Sequence, residues 1–398
     1  MKILVITQYF YPENLRINDI VFSLQKRGHS VEVITGKPNY PGGNYFPGYS
    51  WEGPNVEFLN QVKINRANLL LRKRGKGLNL FLNYLSFVIF GALKIFSLKN
   101  KFDNIFIYAP SPITVGILGI IAAKKFKCKS NLWVHDLWPE SVKVAGGINN
   151  KLILGIIDIM TRLIYRFSDQ ILVQSPFFKF YLQKQKVDLR KVKYYPYYAE
   201  EFYKPMPKIY GISKKFPPGF NLVFAGNIGV SQDFDTIIET FEKLRNEKIN
   251  LIILGEGRDK KRVQNLISKK GLENKFLFFG AYSPREMPDY FSCADALLIT
   301  LKKAEIFSYT LPGKLQSYLA CGKPIIGAID GIGRKVIDDS GAGLCSETGN
   351  PTELAKQILK MSRSSLQQRN KFSKNALDYF KNNFEKEKLL KKLELILV

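Results

Sequence analysis

With 398 residues, 45 % of them apolar, the chain exceeds what one hydrophobic core usually serves, and its composition excludes a disordered or fibrous protein. Sixty Lys and Arg against thirty-four Asp and Glu give a formal net charge of +26. That excess suits an anionic partner (nucleic acid, anionic lipid or a phosphorylated ligand), although an AT-rich genome that loads a surface with Lys produces it too.

Met1-Lys2 runs straight into Ile3–Thr7, which reads as a buried strand, not a signal peptide, and points to a cytoplasmic protein. Ile17, Ile20, Val21 and Leu24 recur at helical spacing, and Gly28 stands where a helix C-cap belongs. Strands are predicted at Val31–Thr35, Asn104–Tyr108, Asn131–Val134 and Gln170–Val173, with helical patterns between them. Such alternation builds a parallel sheet with helices on both faces. Prolines and tyrosines crowd Lys193–Pro218, the predicted domain linker. The alternation then restarts. Strands are expected at Asn221–Ala225, Leu251–Leu254, Phe276–Phe279, Ala296–Ile299 and Pro324–Gly327. Helices fit Asp235–Arg245, Asp259–Lys269, Leu315–Cys321, Thr352–Met361 and the tail Leu366–Leu397. The four cysteines, Cys128, Cys293, Cys321 and Cys345, lie far apart without metal-ligand spacing, which argues for buried thiols in a reducing compartment.

The segment Leu78–Leu98 stands out. It is nearly long enough to cross a bilayer, yet Asn79, Asn83, Ser86 and Lys94 interrupt it and the basic run Arg72–Lys76 precedes it. That pattern suits a helix lying in a membrane interface; a core helix packed on the sheet is the competing reading.

Three constellations can carry chemistry. Pro312-Gly313-Lys314-Leu315-Gln316-Ser317 opens a helix that ends in a Gly-x-Pro turn, so helix amides and the Lys314 charge are available to a phosphate. Gly226, Asn227, Gly229 and Gln232 follow a strand, and Gly257 with Arg258 follows the next. Glycine loops of this kind let backbone amides approach a pyrophosphate. Third, Trp133-Val134-His135-Asp136 ends a strand and delivers His135 and Asp136 toward a cleft. Glu13 and Arg16 follow the first strand and reach the same region, helix capping being the alternative role for Glu13. His29, the other of the two histidines, sits at a helix exit where a structural role fits.

Nearly the whole chain resembles family-4 retaining glycosyltransferases of the GT-B fold, in the bacterial surface-polysaccharide branch that includes L-fucosamine (N-acetylfucosaminyl) transferases. The resemblance rests on Tyr11–Asp19, Gly36–Pro41, Asp136–Ser141 and Lys314–Pro324. It implies two Rossmann-like domains facing a central cleft: residues 1–200 for the acceptor, residues 201–374 for the nucleotide sugar, and a tail, 375–398, that packs back on the first. Within that frame His135, Asp136 and Glu13, placed after strands, are the candidate catalytic residues. Gly226, Asn227, Gly229, Gln232, Gly257, Arg258, Lys314, Leu315 and Ser317 would hold the nucleotide, and Arg16, Glu140, Glu305 and Tyr309 the sugars.

Two departures stand out. The family's paired glutamates fall at Tyr309 and Ser317, with Gln316 and Glu305 as candidate substitutes, and its donor-binding Arg and Lys fall at Asn227 and Gln232. No Asp-x-Asp pair suggests a metal, and no cofactor is expected beyond the UDP-sugar substrate. The implied reaction moves a sugar, by resemblance an N-acetylated deoxyamino sugar, to a polyprenyl-diphosphate-linked glycan in O-antigen or capsule synthesis. The setting would be the anionic cytoplasmic face of the inner membrane. Competing readings are a UDP-sugar epimerase, disfavoured with only two histidines, a non-catalytic membrane subunit, and a nucleic-acid binder, for which no binding module is evident.

Overall fold

A computed structural model describes residues 1–73 and 77–398. The chain forms two compact units, Met1–Tyr195 with Leu390–Val398, and Pro196–Leu389.

The first unit holds eight strands among the described residues: β1 Lys2–Ile6, β2 Ser30–Gly36, β3 Val56–Leu59, β4 Val62–Ala67, β5 Asn104–Ala109, β6 Lys129–Val134, β7 Gln170–Val173 and β8 Val192–Tyr194. Their order is β3-β4-β2-β1-β5-β6-β7-β8, and of these pairs only β3–β4 is antiparallel. The central strands β1 and β5 carry continuous apolar runs, Ile3–Ile6 and Ile105–Ala109, because they are buried on both faces. The order reverses between β1 and β5, so the crevice of this sheet opens at their carboxyl ends.

The second unit holds β9 Phe220–Ala225, β10 Ile249–Leu254, β11 Phe276–Gly280, β12 Ala296–Thr300, β13 Ile325–Ala328 and β14 Gly343–Ser346. They are parallel throughout, in the order β11-β10-β9-β12-β13-β14, which reverses between β9 and β12. This is the doubly wound order of a Rossmann sheet. Its core runs from Phe224 and Phe234 through Leu251 and Ile253 to Leu354 and Met361.

The tail differs from the single helix expected over Leu366–Leu397. It breaks at Phe384 into Leu366–Asn383 and Lys386–Leu397. Leu366–Asn383 packs within the second unit against the helix Gly313–Ala320. The part that joins the first unit is Leu390–Val398, shorter than the 375–398 stretch assigned from sequence. It is pinned by Glu394, which accepts from Arg27 at 2.8 Å and pairs with His29 at 2.9 Å. Those bonds hold the Glu394 carboxyl down to about 2. A depressed carboxylate stabilises the fold above its unfolded value of about 4.5, and that contribution fades as pH falls toward the folded one. Glu394→Gln is therefore expected to cost about 1–2 kcal/mol at neutral pH and to lower Tm by a few degrees, with the gap to wild type closing below pH 4. Parallel melting curves from pH 3 to pH 7 check this; an unchanged gap would remove the ion pair from the account.

The first unit ends at Tyr195, inside the stretch Lys193–Pro218 read as a linker. Tyr195 and Tyr198 are buried, and Trp133 donates its indole N–H to the Tyr195 carbonyl at 3.0 Å.

Candidate nucleotide and acceptor sites

In the second unit β9 leads into the loop Gly226–Gly229 at the reversal point of the sheet. Gly226 has φ +141°, a region that favours glycine, and a Cβ there would stand 3.1 Å from the Lys314 ammonium. Gly257 is also required sterically, but by backbone: a Cβ would lie 2.0 Å from the Ile228 carbonyl oxygen. The two glycine loops are stitched together by Gly226 N donating to Leu254 O and Ile228 N to Glu256 O, both at 2.9 Å. Gly257 thus supports the loop above it. Gly229 accepts from the Gln232 amide at 2.9 Å in the short turn that follows.

Lys314 enters this loop from the first turn of the helix Gly313–Ala320. Its Nζ donates to Gln232 Oε1 at 2.6 Å and lies 4.1 Å from the centre of the Phe224 ring. Burial pushes its pKa down to about 7. A cation held by a neutral amide and a ring face, beside glycine amides and a helix N-terminus, lacks among the described residues the anion that would balance it. Tyr318, absent from the sequence-based assignment, fixes this arrangement. Its buried hydroxyl accepts from Ala225 N at 3.1 Å, tying the Lys314 helix to the end of β9. Asn227 is exposed beside the loop.

The expectations for Leu315, Gln316 and Ser317 need correction. Leu315 is wholly buried and its amide donates to Pro312 O at 2.9 Å, so it packs and offers a nucleotide nothing. Ser317 is buried as well. Gln316 is also wholly buried; oriented as a donor, its amide bonds the Pro312 and Gly313 carbonyls at 2.9 and 3.0 Å. It braces the helix start and does not stand in for a family glutamate. Arg258 is exposed and forms no ion pair among the described residues. Glu305 and Tyr309 bond one another on the short helix Glu305–Tyr309.

In the first unit Glu13 is 1 % exposed and its carboxylate accepts three backbone amides, from Phe10 at 3.0 Å, Asn39 at 2.8 Å and Tyr40 at 2.7 Å. Burial still raises its pKa to about 7. It clamps the turn after β1 to the loop after β2, so it is a positioning residue, not the catalytic group expected. Lys37, in that second loop, is wholly buried, with no hydrogen-bond partner for its ammonium among the described residues, and burial lowers its pKa.

His135 follows β6, its ring 4.3 Å from that of Trp133 and 4.7 Å from that of Tyr108. Burial, reinforced by the Arg16 charge, drives its pKa far below the usual value, so the ring stays neutral at physiological pH and is no reservoir of protons. Asp136 is half-buried, and burial alone raises its carboxyl to about 7. Glu140 opens the next helix, Glu140–Gly146. His135→Phe preserves ring packing and removes only the ring nitrogens, so we expect Tm to hold within about 2 °C and turnover to fall about 10-fold, the worth of one neutral hydrogen bond of about 1.5 kcal/mol. Melting and steady-state rates on the same preparation decide it; full turnover would make His135 a packing residue.

Sequence reasoning missed a cluster on the same side of this sheet. Tyr9 and Tyr40 stand 5.1 Å apart, Arg72 donates to the Tyr9 hydroxyl at 3.1 Å and lies 4.9 Å from the Tyr40 ring, and Tyr84 stands 6.3 Å from Trp138. The sequence puts Arg72 in a basic run suited to a membrane surface. It turns inward instead, Lys73 is exposed, and Arg74 and Lys76 lie outside the described residues.

Comparison with known proteins agrees with this architecture. Residues 209–378 match the family described as Glycosyl transferases group 1. WbjE of Pseudomonas aeruginosa, named as a glycosyltransferase, is 22 % identical over 59 % of this chain and 61 % of its own length. WcaI of Escherichia coli K12, named as a colanic acid biosynthesis glycosyl transferase, is 32 % identical over 25 % of this chain and 24 % of its own. The chain thus spans under two thirds of the length of each of these relatives. Among solved structures, HepE of Anabaena in complex with UDP superposes with a TM-score of 0.73 at 15 % identity, over 100 % of this chain and 99 % of that one. Residues 209–378 accordingly match the glycosyl transferases group 1 family, and the chain has the GT-B fold.

Proposed function

We propose that this protein is a retaining glycosyltransferase that moves a sugar from a UDP-sugar to a polyprenyl-diphosphate-linked glycan during bacterial surface-polysaccharide synthesis. The observation that carries it is Lys314, an ammonium with no counter-ion among the described residues, between two glycine-supported loops at the reversal point of the second sheet. A nucleoside diphosphate supplies the missing anion. HepE, of like fold, is known in complex with UDP, and WcaI is named for colanic acid biosynthesis.

In the proposed reaction the bond from the anomeric carbon to the diphosphate oxygen breaks, leaving an oxocarbenium-like centre. The acceptor hydroxyl attacks from the face the diphosphate leaves, and its proton passes to a diphosphate oxygen. Lys314 and the loop amides stabilise the charge that builds on that leaving group. Asp136 is the group proposed to orient the acceptor hydroxyl, with neutral His135 packed beside it. By resemblance the sugar is an N-acetylated deoxyamino sugar such as N-acetylfucosamine. The proposed site of action is the cytoplasmic face of the inner membrane, where the acceptor resides. Incubating the protein with a panel of UDP-sugars and prenyl-diphosphate glycan in vesicles tests the reading. Release of UDP with a lengthened, anomerically retained lipid-linked product supports it; absence of transfer from every donor overturns it.

A further inference from the structure

We infer that Arg72, with the phenols of Tyr9 and Tyr84 and the ring of Tyr40, forms a subsite for the diphosphate of a lipid-linked acceptor. The inference rests on the transferase reading above and gives the acceptor's anionic group a place in the first unit.

A guanidinium carries five N–H donors in a fixed fork. Arg72 spends one of its hydrogen bonds on the Tyr9 hydroxyl at 3.1 Å, its Nε is buried without a partner, and it forms no ion pair among the described residues. In a chain with thirty-four carboxylates, a half-buried arginine without one is a cation kept for a ligand. Tyr40 flanks it with its ring face, 4.9 Å from the guanidinium carbon, which holds the fork in place without neutralising it. The 4 %-exposed Tyr9 phenol is driven far above its ordinary pKa by burial, and Tyr84 is raised as well, so both remain protonated. A protonated phenol can donate to a phosphate oxygen where an ionised one would repel it.

Position points the same way. Tyr9, Tyr40 and Arg72 follow β1, β2 and β4 at their carboxyl ends, the side of the sheet where doubly wound folds take ligands. Tyr84 belongs to the helix Gly77–Ser97, whose residues Phe81 and Leu85, three before and one after, are exposed at 59 % and 43 %. A diphosphate at Arg72 would therefore have apolar surface next to it for the first isoprene units, on the turn of helix that carries Tyr84. Arginine suits a diphosphate better than lysine, since the fork meets two oxygens at once.

Titration calorimetry of the full chain with geranyl diphosphate, geraniol and inorganic pyrophosphate tests the subsite without sugar transfer. Geranyl diphosphate is expected to bind, pyrophosphate at least 10-fold more weakly, and geraniol not measurably. Arg72→Gln should weaken geranyl diphosphate binding by 30-fold or more, Arg72→Lys by less, with Tm and UDP affinity unchanged in both. Equal binding of geranyl diphosphate by wild type and Arg72→Gln overturns the subsite, and pyrophosphate binding as tightly as geranyl diphosphate overturns its lipid-linked ligand. If UDP binds while geranyl diphosphate does not, the subsite fails alone; if neither binds, the transferase reading fails with it.

Discussion

Lys314→Ala is expected to lower kcat/KM for the UDP-sugar by 100-fold or more while leaving Tm unchanged or slightly raised. The ammonium is held by one neutral amide at 2.6 Å and one ring face, and burial has already brought its pKa down to about 7. Removing a charge that the free protein does not neutralise costs the fold little. Removing it from the developing charge on a departing diphosphate loses a charge-assisted contact worth about 3 kcal/mol, on the order of 100-fold. The same residue sets a pH signature. In the free protein Lys314 loses its proton as pH rises through about 7, so kcat/KM should fall above that pH. Once the donor is bound, the diphosphate charge favours the ammonium and raises its pKa, so kcat should stay level over the same range. His135 should add no limb near its ordinary value, because burial keeps it neutral. Rates from pH 6 to pH 9 at low and at saturating donor separate the two parameters. A kcat/KM profile level through pH 7 to 9, or an alanine variant with full activity, would take Lys314 off the diphosphate.

Much of the fold was legible because buried parallel strands leave continuous apolar runs. Ile3–Ile6, Ile105–Tyr108, Leu222–Phe224 and Leu251–Leu254 read as strands at sight, and all are buried. β4 escaped notice because Lys63, Asn65 and Arg66 look like a solvated loop. Asn65 and Arg66 are in fact buried, satisfied by Glu32 and by Glu57, partners that no local pattern reveals. That Gly226 and Lys314 come together could be anticipated, since a loop of glycines and a helix start are local signals. The roles of its neighbours could not. Leu315, Gln316 and Ser317 share a turn with Lys314, but only packing decides which of the four faces the loop and which three face the interior. The Arg72 cluster was illegible for another reason. It is assembled from four separate segments, and Arg72 itself begins a basic run whose sequence suggests solvent.

Replacing Phe81, Leu85, Ile89 and Leu93 by Gln together is expected to abolish binding to anionic vesicles without unfolding the protein. The helix Gly77–Ser97 is built inside out. The face against the domain carries Asn83, Ser86, Phe87, Gly91 and Ile95, and its polar members are spoken for: Asn83 accepts from Gln8 at 2.8 Å, and Ser86 from the Leu70 amide at 2.8 Å. A Cβ on Gly91 would meet Leu118 at 2.6 Å, so the helix lies close on its neighbour Val115–Phe126. The opposite face exposes Leu78, Phe81, Leu85, Ile89, Leu93 and Phe96. The helix is long and apolar enough to span a bilayer, but Asn83 and Ser86 are bonded into the folded unit, which suits a helix lying in the membrane interface. A second helix, Lys151–Phe167, likewise exposes Leu152, Ile156, Ile159, Leu163 and Phe167. Apolar surface on this scale, in a chain of net charge +26, suits an anionic bilayer that takes up the side chains and attracts the lysines. Each half-exposed side chain moved from water into lipid contributes about 1 kcal/mol, so four replacements remove about 4 kcal/mol, on the order of 1000-fold in partition. Since the four already face solvent, Tm should move by no more than about 2 °C. High salt should release only the electrostatic share of wild-type binding and leave the apolar share in place. Vesicle sedimentation of both proteins at low and high salt reads all of this. Wild type left in the supernatant at low salt, or a quadruple variant that sediments as wild type does, would mean that this face meets something other than lipid.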